Sequence, residues 1–322
     1  MLRSFREVAR LRHANPADTS FMRYTAARTG AAQAPIREWW PHSRIAPVLL
    51  CAVVKAEDFC FTRHRGVAWE ATVFGLLAAL RGGRGVRGVS TITQQLARNL
   101  FLTPERRVSR KLREMLLAVA LDRTLGKQRI LELYLNTVEW AEGVWGCAAA
   151  TEHYLAKTPA EVDTFEALVL ASLLPAPRRP LTGDNLERAV ASQRRVAWQL
   201  YLTGVLDQKG LAVCLARVAR LRSRLSRGES LPDALAAERA AGEPAVASHP
   251  WPLERQSDEP LSPADAVARE YGLERERSEQ IALRRRLGPR AWRELVVSGK
   301  FFRPAQTADT SPRQAAADPL GL

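Results

Sequence analysis

Residues 103–138 read TPERRVSRKLREMLLAVALDRTLGKQRILELYLNTV, and this stretch decides the fold class. Thr103-Pro104 has the form of a helix N-cap followed by proline at the first helical position, where its missing N–H costs nothing. Leu112, Met115, Leu116 and Val119 then recur at helical spacing. Gly126 reads as a stop. A second helix carries Ile130, Leu131, Tyr134, Leu135 and Val138 on one side. Two helices in tandem, joined by a single glycine, predict a helical core rather than a sheet.

Working outward, the same pattern repeats. Thr158-Pro159-Ala160-Glu161 has the form of a capping box and predicts a helix running from there toward Leu174, ended by Pro175 and Pro177. A further helix places Leu186, Ala189, Val190, Val196, Ala197 and Leu200 on a buried stripe. Strand-like alternation is nearly absent, so the fold class is mainly α. The chain divides into a polar, Arg-rich N-terminal segment (1–40), a central part (41–205) and an Arg- and Ala-rich helical extension (206–322). Within the extension, residues 228–263 read as a linker holding a short helix, and the end, TADTSPRQAAADPLGL, as a disordered tail.

Composition narrows the function classes. The 322 residues carry 46% hydrophobic and 25% charged side chains, ordinary for a globular protein and against wholesale disorder. The net charge is +14, mostly arginine, which predicts an anionic partner: phosphate, nucleic acid or a membrane surface. Cys51, Cys60, Cys147 and Cys214 are scattered without a CxxC pair and read as plain thiols. The five histidines show no zinc-ligand spacing. Residues 45–56, IAPVLLCAVVKA, form the most apolar run, too short to span a bilayer. With no signal-like apolar core near the N-terminus, the reading is a soluble or peripheral protein.

Four stretches carry polar chemistry. The first is EDFCFTRHRG, 57–66, where a carboxylate pair follows the apolar run and desolvation can raise a pKa. Next is GVSTITQQLARN, 88–99, a glycine-bearing loop leading into a helix whose start offers hydroxyls and amides, behind a basic segment at 81–88. The third holds Arg106, Arg107, Ser109, Arg110, Lys111 and Glu114. On a helix, Arg110 and Lys111 share a face with Glu114, which gives either a solvated ion-pair ladder or a cationic clamp for a pyrophosphate. The last, KQRILELYLN at 127–136, is mostly core, with Asn136 as a cap or a support for neighbouring loops.

Taken in order, these stretches together with GVWGCAAATEHYLAK (143–157) and LLPAPRRP (173–180) resemble glycosyltransferase family 51, the peptidoglycan glycosyltransferases. TSFMRYTAAR upstream is similar to the monofunctional biosynthetic branch, and no SxxK with a later KTG suggests a transpeptidase. The resemblance implies a lysozyme-like helical lobe beside a smaller, flexible, membrane-proximal lobe. It implies polymerisation of lipid II into β-1,4-linked strands with inversion, undecaprenyl pyrophosphate leaving. Glu57 matches the family's catalytic carboxylate, the general base for the acceptor hydroxyl. Glu114 matches its second glutamate and is expected to organise cations and a divalent metal (Mg or Mn). Arg98, Arg106, Arg110 and Lys111 are expected to neutralise the pyrophosphate. Ser90, Thr91, Gln94, Gln95 and Asn99 match positions lining the donor cleft, and Phe61 and His64 the loop around Glu57. No organic cofactor is implied. Lipid II, the growing strand's lipid, an anionic membrane surface and cell-wall synthesis proteins are the expected partners, and the periplasmic face of the bacterial inner membrane the expected location.

The chain departs from the family pattern at Val89 and Ala68, where glycine and aspartate are usual. Trp140-Ala141 replaces Phe-Gly, and Arg98 replaces lysine. Relatives usually carry a transmembrane helix that residues 1–40 do not supply. Either the chain starts downstream of one, or residues 45–56 and their basic flanks hold the protein at the membrane. Three alternatives stand beside the synthase: a weakened or inactive family member, a lysozyme-like glycan hydrolase, and a basic membrane- or nucleic-acid-binding protein using residues 269–292.

Overall fold

The computed structural model describes residues 2–30, 38–69, 72, 90–104 and 108–241. Residues 278–322 lie wholly outside the described residues. So do the basic segment at 81–88, Val89, Arg106, the charged stretch at 269–292 and the tail.

The described chain is helical. In order come α1 (Leu2–Arg10), α2 (Ser20–Thr29), a 3-10 turn (His42–Arg44), α3 (Pro47–Glu57), α4 (Ile92–Phe101), α5 (Val108–Leu125) and α6 (Lys127–Thr137). A short antiparallel hairpin, β1 (Glu139–Ala141) and β2 (Val144–Trp145), leads to α7 (Cys147–Leu155), α8 (Thr164–Leu173), α9 (Gly183–Leu202), α10 (Gln208–Ser226) and α11 (Leu231–Ala240).

The core forms around α3 and α8, which pack on each other, with α9 covering both. Every residue from Val48 to Val54 is buried, and so is every residue of α8. Each fully enclosed Leu or Val side chain contributes about 1.5–3 kcal/mol. The run at 45–56 therefore has no apolar face left for a bilayer, and its expected role as a membrane anchor is overturned. Its burial in the core serves a different end: it carries Glu57 to its last turn. No helix of the described residues is long and apolar enough to cross a membrane.

Two other expectations are corrected. The helix ending near Leu174 begins at Thr164, capped reciprocally by Asp163 and Glu166, not at Thr158. Thr158 and Glu161 do bond to each other, but as an isolated turn. In α5 the buried face is Glu114, Leu117, Ala118 and Leu121, whereas Val108, Leu112 and Leu116 are 82%, 58% and 52% exposed. Gly126 does separate α5 from α6, at φ +76°. The α9 stripe is buried as expected.

The N-terminal segment is tied to α6. Glu132 accepts from the Trp39 indole and the His42 amide (3.0 and 2.8 Å), and Asn136 exchanges hydrogen bonds with the Trp40 backbone in both directions. Arg129 donates to the carbonyls of Leu11 and Ala14. Beyond residue 206, α10 and α11 add Leu211, Cys214, Val218, Leu221 and Leu235 to the same hydrophobic core. None of the four cysteines forms a disulfide. Burial lifts the thiols of Cys147 and Cys214 to about 12.

Candidate active site

Glu57 ends α3, and the chain reverses at once through residues 58–67. Asp58 holds this reversal. Its carboxylate accepts from the His64 ring (2.8 Å) and from the Ile92 amide at the start of α4 (2.9 Å). Thr91, the α4 N-cap, donates to the Gly66 carbonyl at 2.6 Å. Gly66 sits at φ +86° so close to α5 that a Cβ would lie 2.4 Å from the Ala118 carbonyl oxygen. Only glycine permits that approach. The Lys127 ammonium donates to the His64 carbonyl and lies over the Phe61 ring, 4.8 Å from its centre. The turn after Glu57 is thus fastened to α4, α5 and α6.

The Glu57 carboxylate accepts one hydrogen bond, from the Gln95 side-chain amide at 2.8 Å. Burial pushes its pKa up, with Asp58 adding to the rise. The Gln95 bond and the charges of Arg195 and Arg98 pull partly the other way. A carboxyl raised toward neutrality is the stronger base once ionised, which suits proton abstraction. Gln95 in turn accepts from the Tyr134 hydroxyl at 2.8 Å.

One turn further along α4 and across to α5 the character changes to cationic. Glu114 is nearly enclosed and accepts from Arg110 at 2.9 Å and from Lys111. Lys111 also donates to the Ser90 hydroxyl at 3.0 Å, joining α5 to the head of α4. The Nε atoms of Arg98 and Arg110 are buried and have no partner among the described residues. Buried donors are almost always paired.

The structure therefore brings Glu57, Gln95 and Arg98 together where α3 meets α4, and Ser90, Arg110, Lys111 and Glu114 together where α5 meets the head of α4. Other expected contacts fall elsewhere. Phe61 is fully buried and packs the loop. His64 braces Asp58. Thr91 and Gln94 form the α4 capping box, although the Gln94 amide nitrogen is also buried and unpartnered. Asn99 is buried on α4. Arg106 lies outside the described residues. Of the departures, Ala68 follows the loop and Trp140 is fully buried in the core.

A divalent metal on Glu114 does not fit. Both of its oxygens are committed to cations, and a hard cation needs several oxygen ligands. No group of three potential ligands occurs among the described residues.

Two participants escaped the sequence reading. Arg195, on α9, donates to the Ala56 carbonyl at 3.4 Å and acts electrostatically on Glu57, and its own pKa is lowered by burial. Tyr134 was read as core only. Each reaches Glu57 through folding rather than proximity in the chain, and the one sequence signal for Arg195 is a cation bordering an apolar stripe.

The site is a desolvated carboxylate with cations near it in a helical lobe, and the comparisons give its class. The family described as Transglycosylase matches residues 25–201, more than half of the chain, and the chain belongs to that family. Its relatives include the biosynthetic peptidoglycan transglycosylases of Aromatoleum aromaticum (43% identical over 52% of this chain and 74% of that protein), Alcanivorax borkumensis (40%, 60% and 76%) and Azoarcus sp. (42%, 60% and 87%).

Proposed function

We infer that this chain is a peptidoglycan glycosyltransferase that polymerises lipid II into β-1,4-linked glycan strands. The carrying observation is a half-buried, pKa-raised Glu57 with Arg98 acting on it, in a lobe whose next helix carries the Arg110–Lys111–Glu114 ion pairs. Membership of the transglycosylase family and the names of its relatives support the same reading.

In this mechanism Glu57 takes the proton of the acceptor's 4-hydroxyl as that oxygen attacks the donor's anomeric carbon. The bond to the lipid pyrophosphate breaks with inversion. The departing pyrophosphate is a weak base and needs charge more than a proton. Arg98, Arg110 and Lys111 supply that charge, and Glu114 holds the last two in register. No step is routed through a metal. A divalent cation that serves the reaction would enter on the pyrophosphate, and a chelator titration of the rate reads its contribution.

The reaction places the enzyme at the periplasmic face of the inner membrane, where its lipid-linked substrate lies. Val108, Leu112 and Leu116 form an exposed apolar stripe beside Lys111 and Arg113, a face suited to an anionic bilayer. The hydrolase reading is weaker, since it needs a protonated acid next to the glycosidic oxygen, and Glu114 sits between two cations instead.

The test is incubation with labelled lipid II followed by gel separation. A ladder of lengthening strands is the expected result. Shortening of preformed strands without new polymer would indicate a hydrolase, and neither outcome an inert homologue. A phosphoglycolipid that mimics the donor strand should bind and block the ladder.

A further inference from the structure

Tyr134 lies in the middle of α6, fully enclosed by apolar neighbours in a mainly hydrophobic core. A phenol there needs a partner for its hydroxyl. It has one, the Gln95 side-chain oxygen at 2.8 Å, and the nitrogen of that same amide donates to Glu57 at 2.8 Å. An amide has two faces, one accepting and one donating. A glutamine turned the other way would set its oxygen against the Glu57 carboxylate, acceptor against acceptor. The ionised Glu57 carboxylate, an acceptor only, excludes that orientation, and the Tyr134 hydroxyl, donating to the Gln95 oxygen, holds the amide from the other side.

We propose that Tyr134 is a positioning residue for the glycosyl transfer: through Gln95 it locks the amide that holds one oxygen of Glu57 and so leaves the other oxygen for the acceptor hydroxyl. The inference rests on Glu57 being the base. Burial holds the Tyr134 phenol well above its ordinary pKa, so its proton stays in place at any working pH. The groups that face Glu57 are Asp58 beside it, Gln95 and Arg98 from α4, Tyr134 through Gln95 from α6, and Arg195 from α9. Of these, Tyr134 is the one that holds the Gln95 oxygen.

The test uses Tyr134→Phe, which keeps the ring and removes only the hydroxyl. With that bond gone, the Gln95 amide is held from one side only and the ionised form of Glu57 loses part of its support. The expected result is a fall in kcat of about tenfold, the scale of one lost hydrogen bond to a charged group, with KM little changed. The acidic limb of the kcat/KM profile moves to higher pH. In a Gln95→Ala background the same change should add nothing, since the relay is already cut. The Glu57 carboxyl is also followed directly, by its carbon chemical shift against pH, a readout independent of any polymer. A titration midpoint higher in Tyr134→Phe than in wild type supports the relay even if no strand is made. A midpoint and limb identical to wild type, or an equal further loss in the Gln95→Ala background, overturns it. A purely structural role for the hydroxyl would lower the melting temperature and leave the midpoint in place.

Discussion

Glu57 and Glu114 both lie beside α4, one half-buried and the other buried, yet their surroundings are opposite. Glu57 meets a neutral amide, with Arg98 and Arg195 acting on it at longer range. Glu114 meets an ammonium and a guanidinium in direct contact. One carboxylate is left with an unspent oxygen and a raised pKa; the other is consumed in holding cations. The comparison shows how a single fold obtains a base and a charge organiser from one residue type, by choosing which partners each carboxylate touches.

The largest break in that comparison is Glu57→Gln, which keeps the shape and deletes the base. It should lower kcat by roughly 10²–10⁴, the usual worth of a general base, while phosphoglycolipid affinity measured by calorimetry stays near wild type. Arg110→Ala acts on the other carboxylate. It should raise the KM for lipid II about tenfold. It should also cost roughly 2–3 kcal/mol in denaturant unfolding, less than for a fully enclosed pair because Lys111 remains. A smaller effect sharpens the contrast through pH. With its pKa raised, Glu57 ionises only above the ordinary carboxylate range, so kcat/KM should fall on the acidic side at a pH above about 4.5. Arg195→Gln, which removes one stabilising charge, should move that limb higher still.

The smallest effect concerns stability. A carboxyl whose pKa is higher folded than unfolded binds more protons in the folded state, so stability drops as pH rises between the two values. At neutral pH the wild-type protein carries that penalty and Glu57→Gln does not. The variant should melt about 2 °C higher at pH 7.5 and no higher at pH 4, by calorimetry.

Much of this was legible in the sequence, for reasons that can be named. The Glu57–Gly66 and Ser90–Asn99 stretches announce the site because turn, cap and carboxylate chemistry must be local. The Arg110–Lys111–Glu114 group is likewise set by helical spacing alone. Periodicity could not tell which face of α5 is inward, because the buried face is led by Glu114 while Leu112 and Leu116 look out. Two Thr/Asp-x-x-Glu patterns stood within eight residues at 158–166, and the one followed by unbroken apolar sequence became the helix start. The apolar run at 45–56 fits a membrane surface and a core helix equally by composition, and packing against α8 settles it as core. Tyr134 and Arg195 were invisible as site residues because their distance to Glu57 is a property of the tertiary fold.

Strand growth from labelled lipid II, followed side by side for wild type and Glu57→Gln at equal concentrations of folded protein, tests the central claim most directly. A ladder from the wild type and none from the variant is the predicted result. Ladders of equal yield would show that the proton leaves the sugar hydroxyl without Glu57 and would contradict the account.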